Sequence, residues 1–273
     1  MNPVLFVANN ELSRIIKHPL VITTSIILFL LSIINGRGSV HLISPVLSEY
    51  LQAGKDPFLF IGFGNTYYHT ALLMLVLSFS IGLLFIAEDR AKGTIRVLLS
   101  KPLYRRDIIA GKFLGLSMFI SILSAIMVLL NVSTIMFFYG GPLSMDELAI
   151  RVISNIILLS LSCIETLGIA MFIGLLFKNI YRLLIVAGTL LCFEWLYNIP
   201  VFIYKIIGDL IIIFPHHLYL KATWPGGQTN YLFDTTVPYF DWLSAALPYI
   251  VLSLVAILAI FFITCYVFNK EES

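Results

Sequence analysis

The chain has 273 residues, of which 59% are hydrophobic and only 12% are charged, and its mean hydropathy is +0.97. A soluble domain carries about 25% charged residues, so this composition excludes a water-soluble globule and indicates a membrane protein. The 17 Lys and Arg nearly balance the 15 Asp and Glu, which leaves no overall basic field to attract nucleic acid. The three cysteines lie singly within apolar runs, which argues against a disulfide framework.

Residues 1–19 precede the first long apolar run and have the spacing of an amphipathic helix. The side chains predicted for its apolar side are Leu5, Ala8, Leu12, Ile15 and Ile16, and those for its polar side are Asn9, Asn10, Glu11, Arg14 and Lys17. Such a helix is expected to lie in the membrane interface and to end at His18-Pro19. The alternative is a frayed polar terminus.

Six segments are apolar enough to cross about 30 Å of hydrocarbon. They are residues 20–34, 70–86, 113–136, 152–177, 183–204 and 243–268. A seventh candidate, 201–214, is short and carries Lys205 and Asp209, which favours a re-entrant or interfacial helix over a span. The prediction is one all-α membrane domain over residues 1–273, with a six-span bundle within 20–268 and a seven-span arrangement as the alternative.

The distribution of basic residues predicts the orientation of this bundle. With six spans, both termini lie on one side of the membrane, together with 12 of the 17 Lys and Arg. The other side carries Arg37, Lys55, Arg151, Lys205 and Lys221. Because cytoplasmic loops are enriched in Lys and Arg, both termini are predicted to be cytoplasmic in a multi-pass protein of the cell membrane.

Residues 87–112 form the predicted cytoplasmic loop between spans two and three. A short helix is expected to begin at Thr94, after Gly93, and to end before Pro102. Helical spacing would place Ile95, Leu98 and Leu99 on one face, where each contributes roughly 1.5–3 kcal/mol if it is buried in a partner's groove. The residues alone support such a docking helix and an ordinary positive-inside loop about equally.

The stretch from Glu88 to Lys112 reads Glu-Asp-Arg-x-x-Gly-Thr-x-x-x-Leu-Leu-Ser-x-Pro-x-x-Arg-x-x-x-x-x-Gly-Lys. This pattern resembles the signature of the ABC-2 type permeases, the transmembrane subunits of type V ABC transporters. A separate permease chain of this size is similar to the subfamily that includes the permease of the nitrous oxide reductase copper-maturation transporter. The resemblance extends over the chain and implies an N-terminal elbow helix, six spans, and short re-entrant helices in the outer segment 201–241.

In this family, the stretch after Gly93 is the coupling helix that docks on an ATPase. The resemblance therefore assigns the ATPase contact to Glu88, Gly93, Thr94, Ile95, Leu98 and Leu99. Lys178 and Arg182, in the other inner loop, would form a second and smaller contact.

The chain lacks the GxxxxGK[ST] loop that an ATP-hydrolysing motor needs to hold phosphates. The resemblance therefore implies two cytoplasmic ATPase subunits that bind ATP and Mg²⁺, and a second permease that is a copy or a paralogue. The chain itself is expected to be non-catalytic and to hold no cofactor or metal, since His216 and His217 lack neighbouring ligands in the sequence. Its predicted function is to couple ATP hydrolysis to substrate export or to force transmission across the membrane.

Candidate functional polar residues within the predicted spans are Asn155 and Glu165 in span four and Glu194 in span five. A charge in mid-bilayer costs roughly 2.5–3.5 kcal/mol on insertion scales, so such groups line a pathway or pair within a helix interface. These two interpretations stay open. In the alternative function, an ATP-independent secondary transporter or a membrane assembly scaffold, Glu165 or Glu194 would be the proton or ion site.

Packing patterns complete the sequence-based expectations. Gly168, Ala170 and Gly174 predict close helix approach in span four, and Asn131 predicts a packing hydrogen bond. The segment 44–53 is expected to form a short amphipathic helix. Aromatic residues are frequent between 197 and 242, which favours a belt that contacts membrane lipid headgroups. The alternative for these aromatics is an outer gate or a surface for an outer partner protein.

Overall fold

In the computed structural model, the described part of the chain is helical and contains no β-strand. The structure describes residues 3–91, 105–177, 183, 185–186, 188–191, 214–225 and 231–271. Its α-helices are α1 (Pro3–Ile16), α2 (Pro19–Ile43), α3 (Leu47–Gln52), α4 (Gly64–Ala91), α5 (Arg105–Tyr139), α6 (Met145–Leu176), α7 (Pro215–Thr223) and α8 (Tyr239–Glu271). A 3-10 turn, Ser44–Val46, joins α2 to α3, so helical structure is present in the predicted 44–53 segment.

Five helical stretches among the described residues are long and apolar enough to cross a membrane. They are Val21–Gln52, Phe58–Leu84, Asp107–Tyr139, Met145–Leu176 and Tyr239–Phe268. They correspond to predicted spans one, two, three, four and six, and the all-α prediction is confirmed for the described residues. The fifth predicted span, 183–204, falls largely outside them, so the total of six stays a prediction.

The observed helices begin earlier than the apolar windows predicted. Span two provides a clear case, because a π-helix, Phe58–Phe63, leads directly into α4, whereas the predicted span began at residue 70. The Asp56 side chain accepts the backbone N–H of Phe58 at 2.9 Å, which satisfies an end group of this segment. Helical structure therefore continues through the glycine-containing sequence 62–64.

Helices α4, α5 and α6 form the centre of the bundle. Their fully buried side chains include Met74 and Ile81 of α4, Ile120 of α5, and Leu167 and Met171 of α6. Helices α2 and α8 pack on the outside and keep apolar side chains exposed along their lengths. This distribution suits a bundle surrounded by lipid, because the outward faces need no polar covering there.

Small residues bring α6 close to its neighbours, as the sequence predicted. A Cβ atom added to Gly82 of α4 would lie 2.7 Å from the Cβ atom of Ala170. A Cβ atom added to Gly168 would lie 2.9 Å from Cγ2 of Ile260 in α8. The prediction of close helix approach in span four is therefore confirmed.

Helix α1 packs on the first turns of α5 through two glycines. A Cβ atom on Gly111 would lie 2.6 Å from Cβ of Val7, and one on Gly115 would lie 2.5 Å from the carbonyl oxygen of Ala8. The predicted helix is present, and Ala8 and Ile15 of its predicted apolar side are buried, but Leu5 and Ile16 of that side are exposed and Glu11 of the predicted polar side is buried. The packed face follows Val7, Glu11 and Ile15, which recur every four residues and meet α5. Its interfacial location stays a prediction.

Replacing Gly115 by Ala is expected to destabilise the fold by about 1–3 kcal/mol, because the added methyl group meets the rigid backbone of α1. Gly38→Ala is the matched control, since nothing lies within 4 Å of a Cβ atom at that helical position. Thermal unfolding of the two variants in detergent measures the difference. Equal melting temperatures would show that α1 does not pack as described.

Candidate functional site

The predicted coupling loop connects two central helices of the bundle. Helix α4 ends at Ala91 and α5 begins at Arg105. Glu88 lies in the last turn of α4, and the other predicted contact residues lie outside the described residues: Gly93, Thr94, Ile95, Leu98, Leu99, Lys178 and Arg182. Their roles stay predictions. The structure does describe how the helix that follows this loop is held.

A buried ion pair joins α1 to α5 at the end of the predicted loop. Lys112 Nζ lies 2.6 Å from Glu11 Oε1, and each residue is only 3% exposed. Arg14 lies 3.4 Å from the other carboxylate oxygen of Glu11. Charge-assisted hydrogen bonds of this length are strong, and neither buried charge is stable without a partner. The pair therefore fixes α1 to the helix that follows the coupling loop.

A second candidate region packs against α6 between residues 151 and 162. We call residues 214–225 and 231–238 the cap; it contains α7 and the turns before α8. Ser162 Oγ donates a hydrogen bond to the carbonyl oxygen of Pro215 at 2.9 Å, and the Tyr219 hydroxyl donates to Asn155 Oδ1 at 2.7 Å. Burial raises the pKa of Tyr219 well above its ordinary value, so this hydroxyl keeps its proton. Polar side chains of α6 thus hold α7.

Arg151 connects α6 to the other half of the cap. It is completely buried, and its guanidinium donates hydrogen bonds to the carbonyl oxygens of Leu232 and Val237. Its Nε also lies 2.6 Å from Glu147 Oε2. The sequence placed Arg151 just before span four, which was predicted to begin at residue 152. It instead lies within α6, because the Ser144 side chain caps this helix by accepting the N–H of Glu147.

The loop before α4 holds the cap from a second direction. Lys55 Nζ pairs with Asp234 Oδ2 at 2.8 Å, and the backbone N–H of Asp56 donates to Thr235 Oγ1 at 2.9 Å. Burial alone would raise the pKa of Asp234, but hydrogen bonds from Lys55 and Thr236 outweigh it and lower that pKa below its ordinary value. Asp234 is therefore ionised at neutral pH, and the pair with Lys55 persists.

Aromatic rings fill the space between the cap and α4. The ring centroid of Tyr67 lies 6.1 Å from that of Tyr219, 6.0 Å from that of Tyr231 and 5.3 Å from that of Phe233. These three cap rings are buried, and so is Trp242, whereas Trp224 and Phe240 are exposed. The predicted lipid-facing belt is therefore wrong for the buried rings. They pack inward as the core of the cap.

The described intramembrane polar residues lie on α6 and in the core. Asn155 and Glu165 are both 1% exposed, Asn155 accepts from Tyr219, and the role of Glu165 stays a prediction. Glu194 lies outside the described residues. The predicted packing hydrogen bond of Asn131 is confirmed, because its Nδ2 donates to Thr70 Oγ1 at 2.7 Å. No group of three His, Cys, Asp or Glu side chains suited to a metal ion occurs within the described ranges.

Acid is expected to destabilise the cap through its two buried histidines. Burial lowers the pKa of His216 to about 3 and that of His217 to about 4, from an ordinary value of 6.5. Below pH 6.5 the unfolded chain takes up protons that the folded chain excludes, so stability falls until the pH reaches about 4 to 3. His217→Gln should reduce this loss.

Melting temperatures of the detergent-solubilised chain between pH 7 and pH 4 measure the effect of these histidines, in the range where unfolded His titrates. The matched control is His41→Gln, at an exposed position in the last turn of α2, which should leave the pH dependence unchanged. A wild-type melting temperature that stays constant across this range would contradict the prediction.

Apolar helices long enough to span a membrane, with polar side chains paired inside the bundle, define a multi-pass helical membrane protein. The chain matches the family model for the ABC-2 family transporter protein over residues 5–273. It therefore belongs to the ABC-2 transporter family, whose members are generally non-catalytic membrane components. A comparison with curated proteins finds no match.

Proposed function

We propose that this chain is the permease subunit of an ABC transporter that is driven by a separate cytoplasmic ATPase. Membership of the ABC-2 family is the observation that carries the proposal. Because the sequence contains no phosphate-binding loop, ATP and Mg²⁺ bind to partner subunits, two in each transporter. A second permease, either a copy or a paralogue, completes the membrane part.

The proposal includes six spans, two cytoplasmic termini and α1 as an interfacial elbow helix. Its support is the location of charge: seven of the 17 Lys and Arg fall between Arg90 and Lys112, at the end of the bundle where α1 packs. Cytoplasmic loops are the ones enriched in such residues. The ion pair between Glu11 and Lys112 places the N-terminal helix at that same end.

The proposed ATPase contact is the loop between α4 and α5. Its apolar face consists of Ile95, Leu98 and Leu99, with Glu88, Gly93 and Thr94 beside it and Lys178 and Arg182 as the second contact. The packing of α1 supports this assignment, because the helix that follows the loop is held by a buried ion pair and two close glycines. A push on the loop would move α5 and α1 together, as rigid-body movements of packed helices require.

The proposed work is substrate export, or force transmission to a partner on the outer side. We further propose that the chain belongs to the subfamily of the nitrous oxide reductase copper-maturation permease, in which permease and ATPase are separate chains.

Co-expression with an ABC ATPase encoded near its gene tests this function. We expect the two chains to purify as one complex, and the complex in lipid nanodiscs to hydrolyse ATP faster than the ATPase alone. Absence of a complex with every such ATPase would contradict the proposal.

A substitution of the buried Glu165 distinguishes the permease from the alternative function, an ATP-independent transporter. In a permease, Glu165→Gln should leave ATP turnover and its pH dependence unchanged, since this side chain then serves helix packing. Glu194→Gln repeats the test in the fifth predicted span. The alternative would be favoured if the chain alone, without an ATPase, carried out proton-dependent transport and either substitution abolished it.

A further inference from the structure

We infer that Arg151 is a positioning residue that makes the cap and α6 one rigid body. The cap then travels with α6 during transport and does not swing open as a separate gate. This inference rests on the proposed function, because transport is the process in which the cap would be positioned.

The geometry of Arg151 is the first support. Its guanidinium donates to the carbonyl oxygens of Leu232 and Val237, at the two ends of one short loop of the cap. Two backbone hydrogen bonds stiffen this loop, from Asp234 N to Tyr231 O and from Val237 N to Asp234 O. A planar guanidinium that binds both ends of a loop fixes the orientation of the loop as well as its distance from α6.

The two halves of the cap are also joined to each other and to α6. The backbone N–H of Leu232 donates to the carbonyl oxygen of Thr223 at 2.9 Å, which connects the loop to α7. Helix α7 is bound to α6 through Ser162 and Asn155. A hinge movement of the cap against α6 would have to break these bonds together with those of Arg151.

Burial makes such a movement costly. Arg151 is 0% exposed beneath the cap, and a cap that swung away would break both carbonyl contacts and uncover the buried side chains of Leu232 and Phe233. The loop before α4 adds a second restraint through the pair between Lys55 and Asp234. The cap is thus held from two directions, by α6 and by the segment that leads into α4.

Hydrogen exchange measured by mass spectrometry on the chain alone in nanodiscs tests the role of Arg151. Arg151→Met should accelerate exchange in residues 231–238 by about tenfold or more, while exchange in α1 stays unchanged. Arg151→Lys should give an intermediate acceleration, because an ammonium group retains the charge and some of the donors. The matched control is Arg37→Met, at an exposed position on α2.

Two outcomes of this experiment would overturn the inference. One is unchanged exchange in the cap of Arg151→Met. The other is an equal acceleration in the cap and in α1, which would mean that Arg151 only supports global stability. Both outcomes are measured without an ATPase, so they are independent of whether the proposed function is correct.

A cross-link tests whether the cap opens as a gate in the assembled transporter. Glu147→Cys on α6 and Val237→Cys in the cap, two positions that both contact the Arg151 guanidinium, are introduced in a chain whose native cysteines are replaced by alanine, and the pair is joined with a short bis-maleimide. ATP turnover of this variant should be the same before and after cross-linking, because the bridged groups already move together. A fall of about tenfold on cross-linking, a change equivalent to about 1.4 kcal/mol, would overturn the inference.

Discussion

Leu98→Asp is expected to abolish ATP turnover by the assembled transporter. In the proposed complex, Leu98 docks in an apolar groove of the ATPase, and its burial contributes about 1.5–3 kcal/mol. The substitution removes that contribution and adds the desolvation cost of a carboxylate, so the association constant should fall by well over tenfold. Affinity purification of the complex and ATP turnover in nanodiscs measure the two consequences.

Val97→Asp is the matched control for this experiment. It makes the same kind of change at the neighbouring residue, which an α-helix places about 100° from Leu98, on the side away from Ile95 and Leu99. We expect Val97→Asp to retain association and at least half of the turnover, because a substitution at an exposed surface position usually has a small effect. If both variants are active, the loop does not dock through this face, and if both are inactive, the helical register is wrong.

Lys112→Met is expected to destabilise the chain by about 3 kcal/mol. It leaves the Glu11 carboxylate buried with only Arg14 nearby, and breaking a buried pair by removing one partner typically costs about 3–5 kcal/mol. The presence of Arg14 places the effect at the lower end of that range. Unfolding of the detergent-solubilised chain, followed by thermal or denaturant melting, measures the loss.

A double substitution separates the ion pair from simple loss of packing. Glu11→Leu with Lys112→Met replaces both charges by apolar groups of similar size, so most of the stability should return. Lys17→Met, at an exposed lysine just after α1, should stay within about 0.5 kcal/mol of wild type. A double variant as unstable as Lys112→Met would mean that the two charges do not act on each other.

Hydropathy alone predicted the positions of the described spans, because a long apolar run has few alternatives to a membrane helix. It did not predict their ends, since polar residues near the membrane boundary continue a helix at little cost. The start of α6 was nevertheless signalled in the sequence by Ser144 and Glu147, which have the spacing of a capping box. Reading that signal would have placed Arg151 inside the helix.

The cap was not predictable from local pattern. Arg151 reads as an unpaired loop cation until the carbonyl oxygens of Leu232 and Val237 are known, and these lie 81 and 86 residues further along the chain. The same holds for Tyr219 and Tyr231, whose aromatic character fits a lipid belt as well as a buried cluster. Tertiary contacts decide between the two, and hydropathy does not record them.

Helix α1 shows a subtler failure of pattern. Two of its apolar side chains, Leu5 and Ile16, are exposed, whereas Glu11 is buried beside Ile15 and Val7. Periodicity predicts one apolar face for one apolar neighbour, but a helix that packs on the bundle and also lies in the membrane interface, as proposed for α1, has two apolar neighbours. The face that meets α5 is selected by the close approach at Gly111 and Gly115 and by the charge of Lys112.

The ion pair between α1 and α5 also constrains how the protein is made. Glu11 leaves the ribosome 101 residues before Lys112, so early in translation the carboxylate has no buried counter-charge. The nascent N-terminal helix must therefore remain hydrated until the third span has been inserted. Its docking on α5 can therefore be completed only after residue 112 has been synthesised.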